Sequence, residues 1–207
     1  MNRPGYDRAK RVGDIVVASL LLLLSAPLQL AVALAIRVAM GRSVLFRQRR
    51  AGLGGRPFTM VKFRTMRPGG AGPADDAERL TPLGSWLRST SLDELPTLWC
   101  VVKGDMSLVG PRPLLMDYLT RYTPEQARRH EVRPGVTGLA QVSGRNGLPW
   151  PVRLALDVTY VDERSLRLDL RILLRTLRSV VRREGIAAEG SATMPEFANP
   201  ASRAEAG

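Results

Sequence analysis

The 207-residue chain has little of the chemistry that builds disulfides or soft-metal sites, since it holds one cysteine, Cys100, and one histidine, His130. A single cysteine excludes an intrachain disulfide, and the two residues together cannot form a Cys/His zinc cluster. A bound metal would therefore be a hard ion held by carboxylates and phosphates, which points to magnesium. The lack of disulfides also fits a site that faces a reducing compartment.

Two common nucleotide-binding patterns are absent as well. The sequence contains neither G-x-G-x-x-G nor G-x-x-x-x-G-K-[ST]. The glycines at 52, 54 and 55 lie between predicted strands with no helix after them, so dinucleotide-binding and P-loop folds are excluded.

Acidic residues are also scarce relative to basic ones. Lys and Arg number 31 against 19 Asp and Glu, which gives a formal charge of +12. This excess suits anionic partners such as lipid headgroups, nucleotide phosphates or nucleic acid.

The run from Ile15 to Ile36 contains no charged residue. A straight helix of that length would measure about 33 Å, enough to cross a bilayer, so a membrane span is the first interpretation and a signal peptide the second. Two features favour a re-entrant helix instead. Pro27, two residues after Ser25, predicts a bend at the centre. Basic residues flank both ends, whereas a spanning helix carries its basic excess on the cytoplasmic side.

We therefore predict a re-entrant membrane helix at 12–37 that turns at Ser25 and Pro27 and leaves the membrane on the side it entered. A kinked span is the alternative. The freed carbonyl groups at the break would need partners, and the Ser25 hydroxyl is the candidate donor.

The remainder predicts a small α+β, mostly helical domain at 44–185, so that 1–185 forms a single domain. Short β-compatible runs at 44–47 and 58–63 surround a glycine-rich turn and predict a hairpin. A loop rich in Gly, Pro and Ala follows at 68–76. The predicted helices lie near 91–103, with Ser91 as N-cap, and near 114–131 and 149–160. The composition of the tail, 186–207, predicts disorder.

The segment 164–183 has the clearest periodicity. Its arginines recur every three or four residues, which places them on one helical face: Arg164, Arg167, Arg171, Arg175, Arg178 and Arg182. A second stripe is apolar: Leu166, Leu170, Leu173, Leu177 and Val180. Both an ordinary surface helix and an amphipathic helix at a membrane interface explain this pattern.

The chemistry-bearing residues are carboxylates and cations interrupted by Gly and Pro. Asp93 and Glu94 open a predicted helix, where acidic residues also occur simply because they favour the helix dipole. Arg112, braced by a proline on each side, suits bidentate binding of a phosphate. Lys62 and Arg64 project from one side of a predicted strand. Together these residues predict a diphosphate site beside a carboxylate pair.

Seven motifs give the chain a resemblance to a known family. In chain order they are Lys10-Arg11-x-x-Asp14, Lys62-Phe-Arg-Thr-Met66, Ser91-Leu-Asp-Glu-Leu-Pro96, Lys103 to Pro113, Arg133 to Asn146, Asp157-x-x-Tyr160 and Ser165-x-x-x-Asp169-x-x-Ile-Leu. The chain resembles the bacterial sugar transferase family, the monotopic polyprenyl-phosphate hexose-1-phosphate transferases, over about residues 8–185. Cys100, Leu139 and Ser143 depart from residues that are common in that family, and these departures could touch sugar or nucleotide preference.

The resemblance implies a phosphoglycosyl transferase of the bacterial inner membrane with its site on the cytoplasmic face. Its substrates would be a UDP-sugar and polyprenyl phosphate, with UMP released through a covalent aspartyl phosphosugar. Asp93 and Glu94 would form the catalytic dyad and hold Mg²⁺. The predicted substrate-binding residues are Lys62, Arg64, Arg88, Arg112, Arg145, Asp157 and Tyr160. Anionic lipids are expected partners, and a homodimer is left open.

Two other functions compete with a transferase. A basic, membrane-tethered nucleic-acid-binding protein would explain the charge, but aromatic residues make up only 5% of the chain and no nucleic-acid motif is present, so no nucleic acid is expected. A small scaffold for polysaccharide assembly would leave the dyad without a role. Alanine at both dyad positions would then be tolerated.

Overall fold

The computed structural model describes residues 4–69, 75–144, 147–182 and Phe197. Arg145 lies outside the described residues, as does most of the predicted loop at 68–76. The predicted tail also lies outside them, apart from Phe197. That residue is buried and its ring packs against Tyr118, Tyr122 and Trp150.

The N-terminal apolar run lies in helix α1 (Pro4–Met40), which extends beyond the predicted 12–37 at both ends. At 1.5 Å per residue this helix is about 55 Å long. Gly41, with φ of 81°, allows the chain to leave the helix in a left-handed conformation. The helix continues through Pro27, so no turn separates two helices there, and the re-entrant path stays a prediction. The Ser25 hydroxyl donates to the Leu21 carbonyl at 2.5 Å.

Both halves of α1 pack on the same globular body. In the first half, the Asp14 carboxylate accepts hydrogen bonds from the Ser107 hydroxyl at 2.7 Å and the Leu108 amide at 3.2 Å. In the second half, Val32 and Ile36 pack in a cluster with Phe63 and Leu87. The helix is long and apolar enough to cross a membrane, and only 11% of its most apolar window is buried within the protein.

Strands β1 (Leu45–Ala51) and β2 (Pro57–Phe63) form the predicted antiparallel hairpin. Arg47 pairs with Val61 and Phe46 pairs with Lys62, so these two pairs project from opposite faces. The first strand is longer than predicted because the turn is compact, a 3₁₀ segment at Leu53–Gly55.

The second sheet was not predicted. Strands β3 (Ser107–Val109) and β4 (Gly135–Thr137) pair in parallel, with Ser107 opposite Gly135. They lie against the largest cluster of buried apolar side chains, which also includes Ala18 of α1 and Ile172 near the C-terminal end of the described chain. This small sheet therefore joins α1 to the core.

The remaining described helices are mostly short. They are α2 (Asp76–Arg79), α3 (Pro82–Ser89), α4 (Leu98–Lys103), α5 (Pro124–Ala127), α6 (Leu139–Ser143), α7 (Trp150–Glu163) and α8 (Leu166–Arg182). Three 3₁₀ helices occur at Leu92–Thr97, Met116–Arg121 and Arg128–Glu131.

Two predicted helices are therefore broken. The segment 91–103 is a 3₁₀ helix followed by α4, and the Ser91 side chain makes no capping hydrogen bond. The segment 114–131 restarts at Thr123, whose side chain and that of Gln126 form a capping box at the start of α5. The helices predicted at 149–160 and 164–183 are confirmed as α7 and α8.

Helix α8 keeps its two stripes with small changes in membership. The exposed leucines are Leu166, Leu170, Leu174 and Leu177. Arg167, Arg171, Arg175 and Arg178 are exposed beside them. Arg164 is excluded from this surface, because it is buried before the helix and its guanidinium lies 3.4 Å from the Asp7 carboxylate. Leu173 packs against the core.

Candidate active site

Asp93 and Glu94 lie in the first turn of the 3₁₀ helix Leu92–Thr97. The preceding residue, Ser91, has a φ of 58°, a left-handed conformation that is uncommon for residues other than glycine. Such strained residues cluster at functional sites, where the surrounding structure holds them. The tight turn at Ser91 directs the two carboxylates towards β2.

Glu94 forms ion pairs with two cationic side chains. Its Oε1 accepts a hydrogen bond from the Lys62 ammonium at 2.5 Å and from the Arg112 guanidinium at 3.0 Å. Burial opposes ionisation of Glu94, but the charges of Lys62 and Arg112 outweigh it and hold the pKa of this carboxyl well below its usual range. Glu94 is therefore a fixed negative charge that keeps the two cations in place.

Asp93 lies in a different electrostatic environment. Its side chain is buried, and burial together with the neighbouring charge of Glu94 raises its pKa to about 6, against the opposing charges of Lys62, Arg88 and Arg112. At neutral pH the group is ionised but poorly solvated. A desolvated carboxylate surrounded by cations is suited to attack phosphorus.

The loop that presents Arg112 follows β3 and depends on a close crossing with the loop around β4. A Cβ at Gly138 would lie 2.1 Å from the Gly110 carbonyl oxygen, and one at Gly110 would lie 2.4 Å from the Arg133 carbonyl oxygen. Only glycine permits this approach at either position. Pro111 and Pro113 then restrict the backbone on both sides of Arg112. The Arg112 side chain remains 44% exposed, so it can reach a ligand.

Arg129 stabilises this loop from the interior of the protein, a role that the sequence did not indicate. Its buried guanidinium donates to the Arg112 carbonyl at 2.7 Å and to the Asp157 carboxylate at 2.7 and 3.1 Å. Asp157 was predicted to contact substrate. It is instead 2% exposed and pairs with Arg129, so the structure places it behind the loop.

Tyr160 also supports the loop, although it too was predicted to bind substrate. Its hydroxyl lies 2.8 Å from the Asp169 carboxylate, to which it donates its one hydrogen, and 3.0 Å from the Val109 carbonyl oxygen. The other Asp169 oxygen accepts from Lys10 of α1 at 2.8 Å. A buried polar network thus connects α1 to the strand that leads into Arg112.

The remaining predicted residues are dispersed. The Arg64 guanidinium donates to the Met40 carbonyl at the end of α1, away from the dyad. Arg88 donates to the Thr65 hydroxyl at 3.0 Å, and its charge acts on Asp93. Ser25 and Pro27 lie in the middle of α1. Lys62, Asp93, Glu94 and Arg112 are the predicted residues that the structure brings together, with Arg88 nearby.

Within the part of the chain that the structure describes, no group of three or more His, Cys, Asp or Glu side chains could hold a metal ion. Mg²⁺ does not need such a cage, since it is commonly held by one or two carboxylates together with water and substrate phosphates. Asp93 and Glu94 supply that number of carboxylates.

Comparison with known proteins gives consistent matches. A profile of the bacterial sugar transferase family matches residues 5–183. The chain is 49% identical over 191 residues to an uncharacterised sugar transferase, EpsL, of Bacillus subtilis, covering 91% of this chain and 95% of that protein. It is 47% identical over 194 residues to UDP-glucose:undecaprenyl-phosphate glucose-1-phosphate transferase of Caulobacter vibrioides, covering 86% and 72%. A third relative, the exopolysaccharide production protein ExoY of Rhizobium meliloti, is 37% identical over 198 residues, covering 86% and 88%.

Proposed function

We propose that this chain, which belongs to the bacterial sugar transferase family, transfers a sugar 1-phosphate from a UDP-sugar to undecaprenyl phosphate. Three relatives are named UDP-glucose:undecaprenyl-phosphate glucose-1-phosphate transferase, and the ExoY relative is named for exopolysaccharide production. The proposed reaction is the first membrane step of exopolysaccharide or glycoconjugate synthesis. The identity of the sugar is a matter for experiment.

The observation that carries this proposal is the asymmetry of the dyad. Glu94 is neutralised by Lys62 and Arg112, whereas burial and the Glu94 charge raise the pKa of Asp93 to about 6. One carboxylate is thus positioned to hold cations around a diphosphate, and the other to act as a nucleophile. Neither a nucleic-acid-binding protein nor a scaffold would require two adjacent carboxylates in such different environments.

In the first step we assign Asp93 as the attacking group. A carboxylate oxygen of Asp93 forms a bond to the phosphorus that bears the sugar, and the bond from that phosphorus to the bridging oxygen breaks. UMP leaves with the electron pair, and the sugar phosphate remains on Asp93 as an acyl phosphate. Arg112 and Lys62 stabilise the charge that develops on the phosphate oxygens.

In the second step the undecaprenyl phosphate oxygen attacks the same phosphorus. The bond to Asp93 breaks, the carboxylate is restored and undecaprenyl diphosphate sugar is released. No general base is needed for this attack, because a lipid phosphate is already ionised at neutral pH. Splitting the transfer lets a water-soluble donor and a membrane-bound acceptor use one site in turn.

The resemblance also implies Mg²⁺, and Asp93 and Glu94 are the residues that would hold it. When bound, the ion would neutralise phosphate charge and orient the diphosphate. Removal of divalent ions with EDTA should therefore abolish transfer. Retained activity in EDTA would remove the metal from this account.

The contacts of α1 support a membrane location in which the helix does not cross. Ala18 and Ile36 both belong to clusters of the same globular body, although they lie about 27 Å apart along a straight helix. A spanning helix would carry one of them to the far side of the bilayer. We propose that α1 enters the cytoplasmic leaflet only, and that the exposed leucines and arginines of α8 rest at the headgroups.

The direct test is release of UMP from a panel of UDP-sugars by the purified chain in nanodiscs, with and without undecaprenyl phosphate. We expect one UDP-sugar to be consumed well above the others, with undecaprenyl diphosphate sugar as the lipid product. Absence of turnover with every UDP-sugar would overturn the proposal. Salt-dependent binding of RNA or DNA in the same preparation would favour the nucleic-acid alternative.

A further inference from the structure

A groove of about 470 Å³ lies between the middle of α1 and the globular body. Leu22 and Gln29 of α1 line one side of it, Val61 and Phe63 of β2 line the floor, and Trp99 of α4 stands at its edge. The volume is within the usual range for small-molecule sites, about 300–1,000 Å³. We call this space the outer-face groove.

The register of the hairpin separates this groove from the active site. Val61 is paired with Arg47, and both side chains line the groove. Lys62 projects from the opposite face of the same strand and binds Glu94. A molecule in the outer-face groove would therefore lie behind the wall that carries Lys62, on the other side from Asp93.

The chemistry of the groove is that of a lipid site. Its apolar wall at Leu22 continues into leucines of α1 that the protein leaves open, with Leu23, Leu24 and Leu30 each more than 70% exposed. Arg47 and Lys103 line the groove and are exposed, and the Lys103 ammonium forms an ion pair with the Asp105 carboxylate at 3.0 Å. Apolar walls that open towards a membrane, with cations beside them, complement a hydrocarbon chain attached to a phosphate.

We propose that the outer-face groove binds an anionic phospholipid of the bilayer, with an acyl chain against Leu22, Val61 and Phe63 and the phosphate at Arg47 and Lys103. The proposal rests on the membrane location proposed for α1, but not on the transfer reaction. The bound lipid would fill the space beneath the centre of the helix. It would also brace the elements that position Lys62 and the dyad, because it contacts Val61 and Pro96 beside them.

Cys100 provides the readout, since it is the only cysteine of the chain and lines the groove, and because it is 1% exposed it reacts only when the groove opens, which a bound lipid opposes. The full chain in neutral detergent is treated with an N-alkyl maleimide, and the rate of Cys100 alkylation is measured with added phosphatidylglycerol or phosphatidylcholine. Phosphatidylglycerol at ten times its Kd should slow alkylation by about tenfold, the factor expected for simple occupancy. Phosphatidylcholine at the same concentration should slow it much less.

A double variant and a matched control test the contact with the headgroup. Arg47→Gln combined with Lys103→Gln should abolish the difference between the two lipids. The matched control is Arg49→Gln, which removes a charge from the same face of β1 at a residue that does not line the groove, and it should keep the difference.

Three results would overturn the proposal. Equal protection by both phospholipids would mean that the phosphate charge is not recognised. Protection by undecaprenyl phosphate but not by phosphatidylglycerol would assign the groove to the acceptor. No protection by any lipid would mean that the groove takes none. These outcomes are independent of UMP release, so failure here is distinguishable from failure of the proposed transferase function.

Discussion

At the residue scale, the site depends on two adjacent carboxylates that are held in different states. Lys62 and Arg112 neutralise Glu94, while Asp93 is buried and its pKa is raised to about 6. The same two cations lower the pKa of Asp93 against the effect of burial, so a change in either cation should alter Asp93 as well. This coupling gives the dyad properties that neither residue has alone.

Replacement of the proposed nucleophile is the first test at this scale. Asp93→Asn should lower kcat for sugar-phosphate transfer by at least about 10³-fold, as expected when a group that forms the covalent intermediate is lost. Asp117→Asn, at an exposed carboxylate on another element, is the control and should keep normal turnover. Near-normal transfer by the Asp93 variant would contradict a nucleophilic role.

The raised pKa of Asp93 predicts a pH dependence. The carboxylate must be ionised to attack, so kcat/KM for the UDP-sugar should fall as the pH drops through the pKa of Asp93, which burial and the Glu94 charge raise to about 6 and which Mg²⁺ held by Asp93 would lower. Lys62→Met removes a cation that favours the ionised form and should move this acid limb to higher pH. If the acid limb of the kcat/KM profile stays at the same pH in the Lys62 variant, the group that titrates is not Asp93.

Sequence reasoning indicated four residues that the structure brings together, but not the buried residues that support them. Asp93, Glu94 and Arg112 stand out because Gly and Pro surround them in specific strings. Arg129 lies in an Arg-Arg-His run that resembles an exposed face, and its partner Asp157 is 28 positions away. No local pattern shows that two such distant residues pair in the interior. For the same reason Asp157 and Tyr160 were assigned to the substrate rather than to the support of the loop.

At the element scale, the structure depends on a close crossing of the segments that flank β3 and β4, and this crossing presents Arg112. Long periodic segments, α7 and α8, and the hairpin with its glycine-rich turn were predictable, because their patterns repeat. Strands β3 and β4 are three residues each, too short for an alternation to appear, and a parallel pair between distant segments leaves no turn signal. The 3₁₀ helix at Leu92–Thr97 could not be distinguished from an α-helix, because Ser91 and Glu94 resemble the start of an ordinary α-helix.

The crossing can be tested with one methyl group. Gly138→Ala would place a Cβ 2.1 Å from the Gly110 carbonyl oxygen, so the backbone must shift. We expect a loss of at least about 2 kcal/mol of stability and a fall in Tm of roughly 4–8 °C. Gly147→Ala, which has open space around its Cβ, is the matched control and should leave Tm unchanged. An unaltered Tm for the Gly138 variant would show that the backbone at Gly110 can move away at little cost in stability.

The buried ion pair behind Arg112 gives a second test of the elements. Arg129→Met leaves the Asp157 carboxylate buried and uncompensated, which costs about 3–5 kcal/mol when such a pair is broken. The double variant with Asp157→Leu removes both charges and should recover much of that stability. The kcat of both variants should be lower than that of the unchanged protein, because in each the Arg112 carbonyl has lost the hydrogen bond from Arg129. Recovery of both stability and kcat would mean that Arg129 does not position Arg112.

At the scale of the whole molecule, the question is how a helix long enough to span a membrane is arranged when both of its halves contact one globular body. Composition predicted a membrane segment, and the flanking basic residues predicted that its ends lie on the same side. The structure adds that both halves of α1 contact one body, a fact that requires tertiary packing and that no pattern in the apolar run records.

The topology can be measured by cysteine labelling in a Cys100→Ser background. Arg8→Cys and Arg42→Cys place a thiol near each end of α1, and both should react with a membrane-impermeant reagent in inverted vesicles and not in spheroplasts. Arg56→Cys, in the turn of the hairpin, reports the side of the globular body and serves as the control. Labelling of the two helix ends from opposite sides would establish a span.

The central claim is that the sugar phosphate rests on Asp93 between the two substrates. The measurement is the intact mass of the purified chain, with UMP quantified, after addition of its UDP-sugar in the absence of acceptor. The account predicts an adduct of one sugar phosphate on Asp93 with an equal amount of UMP, and loss of the adduct when undecaprenyl phosphate is added. UMP formed only in the presence of undecaprenyl phosphate, with no adduct on the protein, would contradict it.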